Sequence, residues 1–245
     1  MGTRDNLLGV SYSFRMRQSF DRPPNGVAFS PNRGYSMMNG FPPVLSFRST
    51  FMALLVAGLV LFLVTHLIRP FAPGLRAAGI ARIGKPGWMT LHGLASLASL
   101  AMIVCGFVMA RDSGGEMLYT PPTFMAHIAL TLMLIASICF VAGLLPAGHI
   151  RTRLKFPVLV SVKIWALAHL LANGESYSVL LFVTILAWAV VLRISLKKRI
   201  ASGETLLPVF VSARYDIMAA AAGLVLYLAI VLKLHEWLIG VSPMA

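Results

Sequence analysis

Six long stretches almost free of charge dominate the chain, at 52–68, 91–110, 124–145, 157–172, 177–192 and 216–237. A bilayer core of ~30 Å is crossed by about 20 apolar residues rising 1.5 Å each. Hydrocarbon offers no partner to backbone N–H and C=O groups, so runs of this kind must satisfy themselves as helices. The fold class is therefore all-α, a polytopic integral membrane bundle of about six transmembrane helices. The fourth and fifth blocks are short, and only Asn173-Gly174-Glu175-Ser176 separates them, which predicts a tight helical hairpin. Composition agrees: 58% of residues are hydrophobic and 12% charged, with a mean hydropathy of +0.81, outside the range of soluble domains.

Basic residues set the orientation. Call face B the side on which the first helix exits. Its loops carry Arg69, Arg76, Arg82 and Lys85, then Arg151, Arg153 and Lys155, then Arg193, Lys197, Lys198, Arg199 and Arg214. Face A offers Arg111 and Lys233 beside Asp112, Glu116, Glu175 and Glu236. The positive-inside rule places face B in the cytoplasm. The formal charge of +13 is mostly this topological signal. The lipid bilayer is the expected partner, and no nucleic acid is expected, because no basic cluster lies on a soluble surface.

Residues 1–51 break the pattern. They hold six arginines, including Arg15 and Arg17, with loop-forming RPPN, SPNRG and FPP and no apolar period. Such a tail on face A opposes the charge bias of the rest, and it lacks the form of a secretory signal. Domain organisation is read as a basic extension at 1–51 and a transmembrane domain at 52–245. The natural start is expected at Met52, the alternative being a real but disordered tail.

The usual chemistries are missing. No phosphate-binding glycine loop, nucleophile elbow, HExxH or paired carboxylates occur. Cys105 and Cys139 sit inside helices, far from any CxxC spacing, and read as packing residues. Ala95 with Ser99, and Ala219 with Gly223, have the spacing that close helix packing in lipid requires. Ionisable groups at membrane depth remain. Lys163 lies about 9 Å into its helix by the rise per residue and can extend to the cytoplasmic face. Histidine cannot reach that far. His66 ends the first helix, His92 opens the second, His127 opens the third and His149 follows it; His169 ends the fourth and His235 the sixth. Spacing by four puts Trp165, His169 and Asn173 on one stripe, a wall for a flat cofactor or apolar substrate, and joins His66 to Phe62 and Gly58. Gly58 would admit another helix or a macrocycle.

The segments LPAGHIRTRLKFP and VKIWALAHLLANGE resemble the NnrU family of bacterial membrane proteins, as do THLIRPFAPGLRAAGIARIG at 65–84, WAVVLRISLKKR at 188–199 and HEWLIGVSP at 235–243. The resemblance covers 52–245 and none of 1–51. It implies a bacterial inner (cytoplasmic) membrane protein linked to denitrification, acting on the expression or function of nitrite and nitric oxide reductases. A related branch, the zeta-carotene cis–trans isomerase, binds haem b through two histidines. Carried over by position, the ligands are His66 and His169; Trp165 and Asn173, on the stripe of His169, would wall the same cofactor. His127 and His235, co-facial with His169 near face A, form a competing set.

Counting along the helices, His66 and His169 differ in depth by ~9 Å, and two imidazoles across an iron hold their Cα atoms on the order of 12 Å apart. A tilted macrocycle between the first and fourth helices is allowed. Two positions depart from the relatives. Ala166 stands where the isomerase branch has a cysteine, and Lys155-Phe156-Pro157 replaces a basic-His-Pro, which argues against methyl transfer. The expected function is accessory to denitrification with haem b in the bundle. The alternative is a haem-dependent isomerase acting on a lipophilic polyene such as a carotenoid; a transporter ranks last, for want of broken helices and intramembrane carboxylate pairs.

Overall fold

The computed structural model describes residues 44–244. Residues 1–43, and with them most of the basic extension, lie outside the described residues. The helices are α1 (Val44–Phe71), α2 (Pro73–Asp112), α3 (Phe124–Leu144), α4 (His149–Leu154), α5 (Pro157–Ala172), α6 (Ser176–Ala201), α7 (Arg214–Ala229) and α8 (His235–Ile239). A single π-helical turn, Ile230–Leu234, joins the last two. Five of the helical segments are long and apolar enough to cross a membrane. The sixth, α5, has 16 residues, only about 24 Å of rise.

Several boundaries differ from those expected of the sequence. Helix α1 begins at Val44, ahead of Met52. Residues 73–90, read as a cytoplasmic loop, are helical and belong to α2. That helix is broken at Gly84, whose φ of 73° and ψ of 165° are open only to glycine. Pro86 comes next but one and cannot continue the preceding hydrogen-bond ladder. Helix α6 carries its charged tail, Lys197 to Arg199, in helical form to Ala201.

Packing depends on the small residues. A Cβ on Gly58 would lie 2.8 Å from the Ile103 backbone nitrogen, so the glycine brings α1 and α2 together, and its neighbour is a helix. Ser99 and Ala219 are fully buried, and a Cβ on Gly223 of α7 would lie 2.7 Å from the Ile138 Cα of α3. Helix α3 also packs on α5, α5 on α6, and α6 on α1. The core joins Leu55, Leu59, Ile103, Ala166, Tyr177 and Phe182 across these helices. Large apolar side chains such as Val60, Leu97, Val183, Ile217 and Val225 point outward, as a lipid-facing belt requires.

On face A, the α2–α3 loop is pinned to the α5–α6 turn. Leu118 N–H donates to the Gly174 carbonyl (2.8 Å) and Ser176 N–H to the Glu116 carbonyl (2.8 Å). A side chain on Gly174 would overlap the Tyr119 carbonyl, so the hairpin turn is glycine because the loop lies against it. On face B, Asp216 accepts from the backbone N–H groups of His149 (2.8 Å) and Ile150 (2.9 Å) and from His149 Nδ1 (3.0 Å). This ties the start of α7 to α4.

Candidate functional site

A cavity of about 650 Å³ opens between the α1–α2 pair and α5–α6, with α8 at its face-A end. Its volume falls in the ~300–1,000 Å³ range of cofactor and small-ligand sites. His66, Trp165, His169 and Asn173 all line it, and so does His235. The structure therefore gathers four of the residues singled out in the sequence and one of the two competitors.

His66 is held by its own helix. Its Nδ1 lies 2.9 Å from the Phe62 carbonyl, which can only accept, and 3.0 Å from Thr65 Oγ1. Thr65 itself donates to the Leu61 or Phe62 carbonyl. Nδ1 thus carries the proton and Nε2 keeps its lone pair. The ring stacks on Phe62 at 4.2 Å between centroids, with Trp188 edge-on at 5.9 Å.

His169 repeats the device. Its Nδ1 donates to the Trp165 carbonyl at 2.8 Å, again freeing Nε2. Phe182 stacks on the ring at 4.6 Å, and Trp165 leans on it at 5.1 Å. Asn173 Nδ2 donates to the His169 carbonyl at 2.8 Å and caps the helix end. A ring N–H held by a carbonyl is the usual support of a metal-ligating histidine, because it fixes tautomer and orientation.

The competing histidines separate. His235 stands 6.4 Å from His169, ring to ring, with its Nδ1 2.6 Å from the Val241 carbonyl. The π turn before it inserts a residue and rotates the end of the helix by about 100°, and His235 and Leu238 in that rotated end line the cavity. His127 is exposed and stands outside the cavity. It does not join the set. His92, singled out only as a helix-end residue, lies 5.4 Å from His66 between ring centroids.

Phe62 shares the His66 stripe that spacing by four predicted, but other contributors had no signal in the sequence. Phe182 of α6 becomes a ring support of His169 only when α5 and α6 pack. Tyr119, from the α2–α3 loop, donates to the Leu170 and Asn173 carbonyls at the end of α5. Burial, and then the negative charge of Glu175, push its phenol above the ordinary value. Glu175 reads as a turn residue, yet it lines the cavity with a buried Oε2 that lacks a hydrogen-bond partner among the described residues. Arg111 shares the cavity wall and donates to the Ile239 carbonyl, which fastens α8 over that end.

Among the described residues no three His, Cys, Asp or Glu side chains gather closely enough to hold a bare metal ion. A haem makes a smaller demand: its macrocycle supplies four ligands and the protein one or two. Two aromatic-backed imidazoles with free Nε2 atoms on one apolar-walled cavity suit that group. The walls include Leu100, Ile103, Val104 and Phe107 of α2.

Comparison with curated proteins returns no match, and comparison with solved structures returns none. The family model described as NnrU protein matches residues 54–243, from within α1 through α8. The chain belongs to the NnrU family.

Proposed function

We propose that this multi-pass membrane protein binds haem b in the 650 Å³ cavity, where His66 and His169 would hold it, and serves the nitrite and nitric oxide reductases of a denitrifying bacterium. One observation carries the cofactor reading: His66 of α1 and His169 of α5 line the same cavity, each with Nδ1 engaged by the carbonyl four residues earlier. The link to denitrification rests on family membership. When bound, haem supplies a one-electron redox centre or a redox-gated ligand site. The chain's own part is to orient the two imidazoles, to clamp them with Phe62, Phe182 and Trp165, and to keep the α5 end in place through Asn173 and Tyr119.

A second reading is favoured by the shape of the cavity wall. Leu100 and Val104 line the cavity and are 56% and 52% exposed, so it opens along α2 towards the bundle's surroundings. A lipophilic polyene entering from the bilayer could be isomerised beside the haem.

The test is an absorption spectrum of the full chain purified in detergent after expression with ample haem, air-oxidised and then reduced with dithionite. A Soret band with sharp reduced α and β bands is expected. It should fall on the order of tenfold or more in His66→Ala and in His169→Ala and persist in His127→Ala. Loss in His235→Ala with retention in His66→Ala would reassign the pair to α5 and α8. Absence of a Soret band in the wild-type chain would sink the cofactor reading.

A further inference from the structure

A second cavity, of about 450 Å³, lies at the opposite end of the bundle from α8, among α1, α2 and α6. Its walls are unlike the first. Arg69 from α1, Arg76 from α2 and Arg199 from α6 converge on it, together with His92 and Trp188. Their charges act on one another, since Arg69 feels both Arg76 and Arg199. The compensating acid is Glu204, whose Oε2 lies 3.3 Å from Arg199 Nε and whose side chain is 63% exposed. Among the described residues neither Arg69 nor Arg76 forms an ion pair. Three guanidinium groups facing one solvent-exposed carboxylate leave two positive charges in excess around one cavity.

The positive-inside rule accounts for basic residues on this face but not for their convergence. Arg82, Lys85, Lys197 and Lys198 serve the same topological purpose and do not line this cavity. The arginines come from three helices, and the short α1–α2 connection and the break at Gly84 set where Arg76 lies. A second feature belongs to the same wall. Among the described residues the buried indole Nε1 of Trp188 has no acceptor, although leaving a buried donor unpaired is unfavourable. An anion in the cavity offers oxygen acceptors to the arginines.

We propose that this cavity is an anion site that takes a phosphate group, with Arg69, Arg76 and Arg199 as its ligands. Guanidinium forks match phosphate oxygens in pairs, and a phosphate bearing one or two charges offsets the local excess. Basic pockets between helices at a cytoplasmic face commonly hold the headgroups of anionic phospholipids; a soluble phosphate has the same chemistry. The proposal does not rest on the haem reading, although His66 lines both cavities.

The full chain, delipidated in detergent, would be titrated with cardiolipin, with phosphatidylcholine and with inorganic phosphate. Binding would be followed by tryptophan fluorescence, because Trp88 and Trp188 both line the cavity. Cardiolipin is expected to bind at least tenfold more tightly than phosphatidylcholine. The double variant Arg76→Gln/Arg199→Gln should erase that preference, while Arg82→Gln/Lys85→Gln on the same face should keep it. Binding of cardiolipin alone assigns the site to lipid, and saturable binding of inorganic phosphate assigns it to a soluble ligand. Equal loss in the two double variants would mean diffuse surface charge and overturn the proposal, as would the absence of any anion preference. Should the first double variant fail to fold, the exposed Arg69→Gln alone decides, with a several-fold weakening expected.

Discussion

At the scale of single residues, two of the three histidines that line the first cavity are fixed by their own helix. A histidine at a wet helix end rotates freely, whereas His66 and His169 each spend Nδ1 on a carbonyl one turn back and lie against a phenylalanine. Tyr119 secures the end of α5 from outside, by donating to the Leu170 and Asn173 carbonyls. Tyr119→Phe removes that donor and should cost about 1 kcal/mol, a fall in melting temperature of roughly 2–4 °C for a chain of this size. The phenol is held above its ordinary value by burial first and by Glu175 second. Its neutral form is the one that stabilises, so the contribution is complete below the unfolded phenol value of about 10. It is lost as pH rises through the higher folded value. The melting difference between wild type and Tyr119→Phe should therefore be constant at neutral pH and close at strongly alkaline pH. A difference unchanged there would show that the phenol proton is not part of the contact.

At the scale of elements, the breaks in the helices decide more than their lengths. Gly84 divides α2, and its φ and ψ exclude a side chain at a cost of order 1–3 kcal/mol. Gly84→Ala should leave the helical content of the chain almost unchanged by circular dichroism yet lower its melting temperature. It should also weaken phosphate binding, because Arg76 lies on the segment before the break. Normal phosphate binding in a destabilised variant would separate the break from the anion site. Close approach of α1 and α2 has its own test. Gly58→Val would push a branched side chain into the backbone at Ile103, and overpacking of this kind costs about 1–3 kcal/mol. A variant as stable as wild type would mean that the helix pair can move apart without loss.

At the scale of the whole molecule, the two cavities lie towards opposite ends of one bundle, and the charge asymmetry of the loops predicts that the proposed phosphate cavity faces the cytoplasm. A single cysteine at Lys198 should be labelled by an impermeant maleimide only in inside-out vesicles, and one at Ser113 only in spheroplasts. Exchange of the two patterns would invert the orientation and move the phosphate cavity to the other side.

Much of this architecture was legible in the amino-acid sequence. Long apolar runs can only be helices in lipid, because backbone polar groups have no other partner there, so class and the α5–α6 hairpin came from hydropathy alone. The Trp165–His169–Asn173 stripe was legible too, since spacing by four is a local property of a helix. Residues 73–90 were not, because a polar, glycine- and proline-containing stretch at the interface looks the same as a loop until it packs. The pairing of His66 with His92, and the removal of His127 from the competing set, depended on how helices far apart in sequence rotate against one another. The convergence of Arg69, Arg76 and Arg199 depended on the same thing. Helical periodicity says which residues share a face of one helix. Which faces meet is settled by contacts such as Gly58 on Ile103 and Gly223 on Ile138, and those exist only in the folded bundle.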